Sequence, residues 1–399
     1  MGADGMNGTK VGLDPSQIGE RLRIAREAAG VTQAAAASAI GAARTTIVAM
    51  EQGQRRVKID ELQKLARLYG TSVNAVLRRE AVHVDLLPRF RKVIGSGDDA
   101  IATATQLLAD LARAEVELEN LLGIERTRNY PPERPILPGD VTKQAELDAF
   151  ELRQRLGLGV GPIQDIISLL EFEFGVRVYI RRFDGRISGL FAYEEPIGAC
   201  VLLNANHPRE RRTQTAVHET GHLVATRRQP EVLQEALIPR STAERYADAF
   251  GRAFLMPARG VTEKFREITA GASQLTRRHI IVLAHTFGAS REAAVRRLEE
   301  LRLAKPGTWD WFHANGGITD EQARQVLGDL ILPDMQKAES DRPTTLRLNL
   351  LAGEVARRGL LSEGQLARLL HLSRVEVREL LDGIDVEGSA ENEAPDLPA

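Results

Sequence analysis

The sequence predicts an α+β protein, mostly helical, in three structured parts. Three observations predict it. Residues 16–80 read as five short helices punctuated by glycines. Near Val176 the period changes from helical spacing to the alternation of a strand. Between Arg209 and Arg227 a proline-free helical stretch carries His218, Glu219, Thr220, Gly221 and His222, an H-E-x-x-H run. The expected fold is a five-helix N-terminal domain, a central domain with a small antiparallel sheet beside the H-E-x-x-H helix, and a C-terminal helical domain.

Composition narrows the class. The chain has 399 residues, 43% apolar and 27% charged, with a net charge of −2. These are the proportions of a soluble globular protein of several domains, and they exclude a polycation. Cys200 is the one cysteine, so no internal disulfide is possible. It lies in the apolar run Ile197–Leu203 and is read as a core residue. No apolar stretch approaches the roughly 18 residues that span a bilayer. Met1–Lys10 is polar and glycine-rich, without a signal-type hydrophobic segment. A cytoplasmic protein with no membrane partner is expected.

Residues 1–15 read as a disordered leader. Ile18, Leu22 and Ala25 then form one helical face, and Gly30 stops it. Thr32 caps Gln33–Ile40, Gly41 turns, and Ala43–Glu51 follows; Ile59–Tyr69 and Val73–Leu77 complete the set. Two short helices joined by a tight glycine turn make a helix-turn-helix. The runs Gln33–Gly41 (QAAAASAIG) and Thr45–Gly53 (TTIVAMEQG), with Leu62, Leu65 and Ala66, resemble the XRE family of Cro and phage-repressor type over residues 16–80. The resemblance implies a recognition helix at Ala43–Glu51, with Arg44, Thr45 and Thr46 facing base edges of a double-stranded operator and Gln33 touching a phosphate or base. It also implies a homodimer reading two half-sites. Charge agrees: residues 16–80 hold 11 Lys/Arg against 6 Asp/Glu. Arg55, Arg56 and Lys58 suit backbone phosphates. The alternative is a small bundle that binds protein.

Residues 81–139 read as a helical linker. Ala81–Phe90 is a short link, and Asp99–Gly123 is a long amphipathic helix, a spacer or a dimer helix. Asn129–Gly139 holds four prolines and marks a boundary. Residues 140–305 begin with helices at Thr142–Leu156 and Ile163–Phe174, stopped by Gly175. Strands follow at Val176–Ile180, Gly189–Tyr193 and Ala199–Leu203, with His207 in the loop beyond.

On the next helix His218 and His222 project from one face, about one turn apart. That suits two neutral imidazoles on one zinc ion, with Glu219 beside them to take a proton from water. The bland alternative is a surface helix with two solvated histidines. Glu244 and Asp248 lie four apart on a later helix. One carboxylate can ligate while the other holds a histidine ring N–H. Tyr193 and His285 are the candidates for an oxyanion donor.

Arg212, Thr213, Ala216, His218, Glu219, Gly221 and His222, then Glu244, Ala247, Asp248, Phe250 and Phe254–Pro257, resemble the ImmA/IrrE family of zinc metallopeptidases. Ser188–Leu190, Phe287–Ser290, Arg297, Leu298 and Leu301 extend the likeness over about residues 140–305. The resemblance implies a zincin-like domain with His218, His222 and Glu244 as zinc ligands, Glu219 as general base and Asp248 behind a ligand. It implies an endopeptidase that cuts a repressor or antitoxin. Thr220 stands where the family has leucine; no ligand is lost.

Residues 306–384 follow a break at Lys305–Gly307. Trp309, Trp311 and Phe312 read as a hydrophobic anchor. Helices near 346–358, 362–370 and 373–381 again resemble a helix-turn-helix, without a basic cluster, and read as a packing or dimer module. Residues 385–399 read as an acidic tail. The whole is expected to be a DNA-binding transcriptional regulator with a zinc endopeptidase domain, cutting a partner or itself in a stress response. The alternative is a transcription factor whose metallopeptidase-like domain senses metal or ligand without cutting.

Overall fold

The computed structural model describes residues 15–69, 99–229, 231–234, 241–328 and 344–385. Most of the leader, the helix expected at Val73–Leu77, the Ala81–Phe90 link and all but the first residue of the tail lie outside the described residues. The chain divides into two compact units, residues 1–81 and 82–399.

The first unit contains α1 (Pro15–Ala28), α2 (Gln33–Ile40), α3 (Arg44–Glu51) and α4 (Ile59–Leu68). Thr32 opens α2 by accepting from the Ala35 amide at 3.2 Å. Gly41 closes it in the left-handed region, φ 69°, where a side chain would be strained. Leu22, Ala36, Ala37, Ile47, Met50, Leu62 and Leu65 form the core.

The second unit is mostly helical around one small sheet. Its elements begin with α5 (Asp99–Leu122) and α6 (Val141–Arg155). Next, α7 (Ile166–Ser168) runs into a wider π-helical turn, Leu169–Phe174, closed by Gly175. The strands are β1 (Arg177–Arg181), β2 (Ile187–Glu194), β3 (Gly198–Asn204) and β4 (Glu231–Gln234). Helix α8 (Arg209–Ala225) lies between β3 and β4. Then come α9 (Thr242–Leu255), α10 (Ala258–Ile268), α11 (Arg277–Phe287), α12 (Arg291–Glu300), α13 (Thr308–Ala314) and α14 (Asp320–Leu327). The last three are α15 (Leu346–Arg357), α16 (Glu363–Leu369) and α17 (Arg374–Asp385). No helix among the described residues is long and apolar enough to cross a membrane.

The sheet corrects the expectation of an all-antiparallel arrangement. Its order is β1-β3-β2-β4. β2 pairs antiparallel with β3 and β4, but β1 pairs parallel with β3, Val178 opposite Val201. Alternation marks a strand without naming its neighbour. β3 is buried along its whole length, which places it inside the sheet and sends β1 to its far side. β4 was not foreseen.

Each face of the sheet has its own core. Val178, Phe191, Ala199, Val201 and Leu203 pack with α8, α9 and α6. Tyr179, Leu190, Ala192, Cys200 and Leu202 pack with α5 and the C-terminal helices. So α5 is a layer of this unit, where a spacer was one expectation. Burial pushes the Cys200 thiol up to about 12, in keeping with a core residue. Of the expected aromatic anchor, Phe312 is buried and Trp309 packs against the core, while Trp311 is exposed.

Candidate metal centre

Helices α8 and α9 cross at bare backbone. A Cβ on Gly221 would lie 2.7 Å from the Ala247 Cα, and one on Gly251 would lie 3.1 Å from the His218 nitrogen. Small residues therefore let the helices approach, and Glu244, one turn before Ala247, reaches the histidines. On the sheet side, a Cβ on Gly189 would meet Thr215 Cγ2 at 2.6 Å and Glu219 Oε1 at 3.4 Å. Gly189 leaves the space that buried Glu219 occupies beside β2.

Three side chains converge there. His218 Nε2 and His222 Nε2 are 3.1 Å apart. Glu244 Oε2 lies 3.5 Å from the first, and Oε1 lies 3.4 Å from the second. Both imidazoles are fixed from behind. His218 Nδ1 is 3.0 Å from Asp248 Oδ1, and His222 Nδ1 is 2.9 Å from Thr226 Oγ1. With each Nδ1–H donated outward, each Nε2 turns a lone pair inward. Two imidazole lone pairs and a carboxylate facing one another require a proton or a cation between them. Tetrahedral zinc with ligand bonds of about 2.0–2.1 Å needs ligand–ligand edges of about 3.3–3.4 Å. The triad fits that ion.

Electrostatics point the same way. Burial alone would lower the His218 pKa, but the carboxylates of Asp248 and Glu244 prevail and raise it to about 10. Burial lowers His222. Burial would raise Glu244, yet the two histidines hold it well below the usual carboxylate range. The cluster stabilises one positive charge at its centre.

The sequence-derived residues His218, His222, Glu219, Glu244 and Asp248 thus stand together. Thr226 and Phe191 were missed; the Phe191 ring stacks on His222 with centroids 6.4 Å apart. Thr226 follows His222 by four residues, the same spacing that relates the histidines, so its signal was present. Tyr193 packs against Tyr130 and Arg227, and His285 is exposed on α11; neither hydrogen-bonds to the triad. His207 lies in its loop as expected, with its Nε2 at 3.0 Å from the Gly185 carbonyl.

In the first unit, Arg44, Thr45 and Arg56 are exposed and Thr46 is half-buried. Gln33 Oε1 accepts from Arg44. Arg55 pairs with Glu61 at 2.8 Å, which neutralises part of the charge expected for phosphates.

A peptidase-family model described as IrrE N-terminal-like domain matches residues 172–299, and one described as helix-turn-helix domain matches residues 17–81. The chain joins a helix-turn-helix domain to an IrrE-like domain. No curated protein matches it. Among solved structures, ComR from Streptococcus suis covers 96% of this chain and 97% of its own at 9% identity, with a TM-score of 0.16. The apo form of ComR from S. thermophilus covers 94% and 99% at 10% identity, with a TM-score of 0.15. Superposition that poor carries no argument. The IrrE-like domain matched by the family model contains every residue of the triad.

Proposed function

We propose that the chain is a DNA-binding transcriptional regulator whose IrrE-like domain is a zinc-dependent endopeptidase. It acts in the cytoplasm as a homodimer and cuts a partner repressor or antitoxin, or the chain itself, in a stress response. The observation that carries this reading is the convergence of His218, His222 and Glu244 on one point, with Glu219 beside it. Zinc held by these three residues would polarise a peptide carbonyl and make water a stronger acid. Asp248 and Thr226 keep both Nε2 atoms aimed at that point. Glu219 takes the proton from the attacking water and passes it to the departing amine. Its burial beside Gly189 keeps it aligned and excludes bulk water.

The test is Glu219→Gln. Zinc content and operator binding are expected to stay at wild-type levels while proteolysis is lost. Protein N-termini would be compared between cells making each form, under DNA damage and nutrient stress. A terminus seen only with wild type identifies the substrate. Equal N-termini and equal operator control, with zinc bound in both, would support the non-cutting sensor instead.

A further inference from the structure

A chain of four side chains runs from the core of the first unit to its exposed surface. Arg26 donates Nε to Glu51 Oε1 at 2.6 Å and Nη2 to Oε2 at 3.1 Å. It also donates Nη1 to the Val31 carbonyl at 3.1 Å. Both residues are buried, so the Glu51 carboxylate is fixed in place. Gln33 Nε2 donates to Glu51 Oε2 at 3.0 Å. An ionised carboxylate only accepts, so the Gln33 amide has one permitted orientation, NH2 inward and Oε1 outward. Arg44, the first residue of α3, donates both Nε and Nη2 to that Oε1 at 3.3 Å.

These bonds occupy one edge of the guanidinium. The Nη1/Nη2 edge, with two parallel N–H groups, takes no hydrogen bond among the described residues. In the major groove guanine offers two adjacent acceptors, N7 and O6, whereas adenine offers one acceptor beside a donor. Two parallel donors match guanine and meet a repulsive N–H at adenine.

We propose that Arg44 reads a guanine in each operator half-site, and that Glu51 and Gln33 are positioning residues that determine which edge Arg44 presents. The proposal rests on the DNA-binding reading of this unit. It goes further by naming the base and by assigning Glu51 a part in specificity.

The experiment uses the full-length protein. Randomised duplex DNA is selected for binding, and affinities for the selected site are then measured at one fixed salt concentration. Wild type is expected to enrich a half-site with an invariant guanine, and changing that guanine to adenine should weaken binding on the order of 10- to 100-fold. Arg44→Ala should erase the preference at that position alone. Gln33→Met removes the amide but leaves the Arg26–Glu51 pair, so the melting temperature should hold while the guanine-to-adenine ratio falls several-fold. Glu51→Gln is less clean, because it also strips Arg26 of its partner. Unchanged guanine preference in Arg44→Ala overturns the base assignment. An unchanged ratio in Gln33→Met overturns the positioning role. A wild type that enriches no sequence overturns the DNA-binding reading and the proposal together.

Discussion

Gly221→Ala tests whether the helix crossing builds the candidate metal site. The added methyl carbon would lie 2.7 Å from the Ala247 Cα, 3.2 Å from its Cβ and 3.3 Å from its carbonyl oxygen. Carbon atoms pack at about 3.5–4.0 Å, so α8 and α9 must part by about 1 Å. Glu244 travels with α9, and its distances of 3.4 and 3.5 Å to the imidazoles would stretch beyond what one zinc ion spans. Two energies compete. Alanine is better than glycine inside a helix by roughly 0.5–1 kcal/mol. Overpacking a closed contact costs about 1–3 kcal/mol. The second should win, giving a net loss of about 1–2 kcal/mol and a fall of roughly 2–8 °C in the melting temperature of the second unit. Zinc affinity should fall about 10- to 100-fold, the effect of misplacing a ligand from behind. Competition with a chromophoric chelator reads the affinity, and circular dichroism reads the melt. Wild-type values in both would refute the claim that bare backbone at this crossing sets the triad.

Two further outcomes are expected. Thr226→Val removes the acceptor behind His222 while keeping the shape of the side chain, and should weaken zinc binding about ten-fold by chelator competition. Glu171 is buried, and burial raises its pKa to about 7 from 4.5. Between those values the folded state holds more protons than the unfolded chain, so stability falls as pH rises through that window. Glu171→Gln should therefore gain on wild type by up to about 3 kcal/mol above pH 7 and gain nothing near pH 4, as read by urea denaturation at both pH values.

What the sequence revealed depended on how narrowly chemistry restricts the residue. Few residue types bind zinc, and helical spacing states which of them share a face, so His218, His222 and the Glu244–Asp248 pair were legible in one dimension, while only the family resemblance singled out Glu244 as the ligand. Glycine at 189, 221 and 251 was not, because an open glycine and one pressed against backbone read alike. The strands were visible from alternation, but the insertion of β3 between β1 and β2 was not; those two run in opposite directions, which leaves β1 parallel to β3. The apolar stripe of α5 was equally plain, yet a stripe does not name what covers it. The charge of Arg55 was plain, but a linear sequence does not show that Glu61 pairs with it at 2.8 Å.

The two-sided burial of β3 joins parts that the sequence set apart. Its odd residues lie against the metal helix layer, and its even ones, Cys200 and Leu202, lie against α5 and the C-terminal helices. Both α5 and the C-terminal helices fall outside residues 172–299, the span matched to the IrrE-like family. The ionic contacts agree. Glu119 of α5 binds Arg177 of β1 at 2.7 Å and Arg347 of α15 at 2.8 Å, and Tyr179 donates to Glu115 at 2.6 Å. Removing α15 would take one cation from a buried acidic pair and leave charge that burial penalises. A fragment limited to residues 140–305 would lack α5 as well. It would leave Glu115 and Glu119 behind, strand Arg177 without them, and bare the apolar side of β2 and β3. The His218–His222–Glu244 triad rests on one face of a sheet whose other face needs the C-terminal helices, so the residues beyond 305 support the same fold that holds the triad.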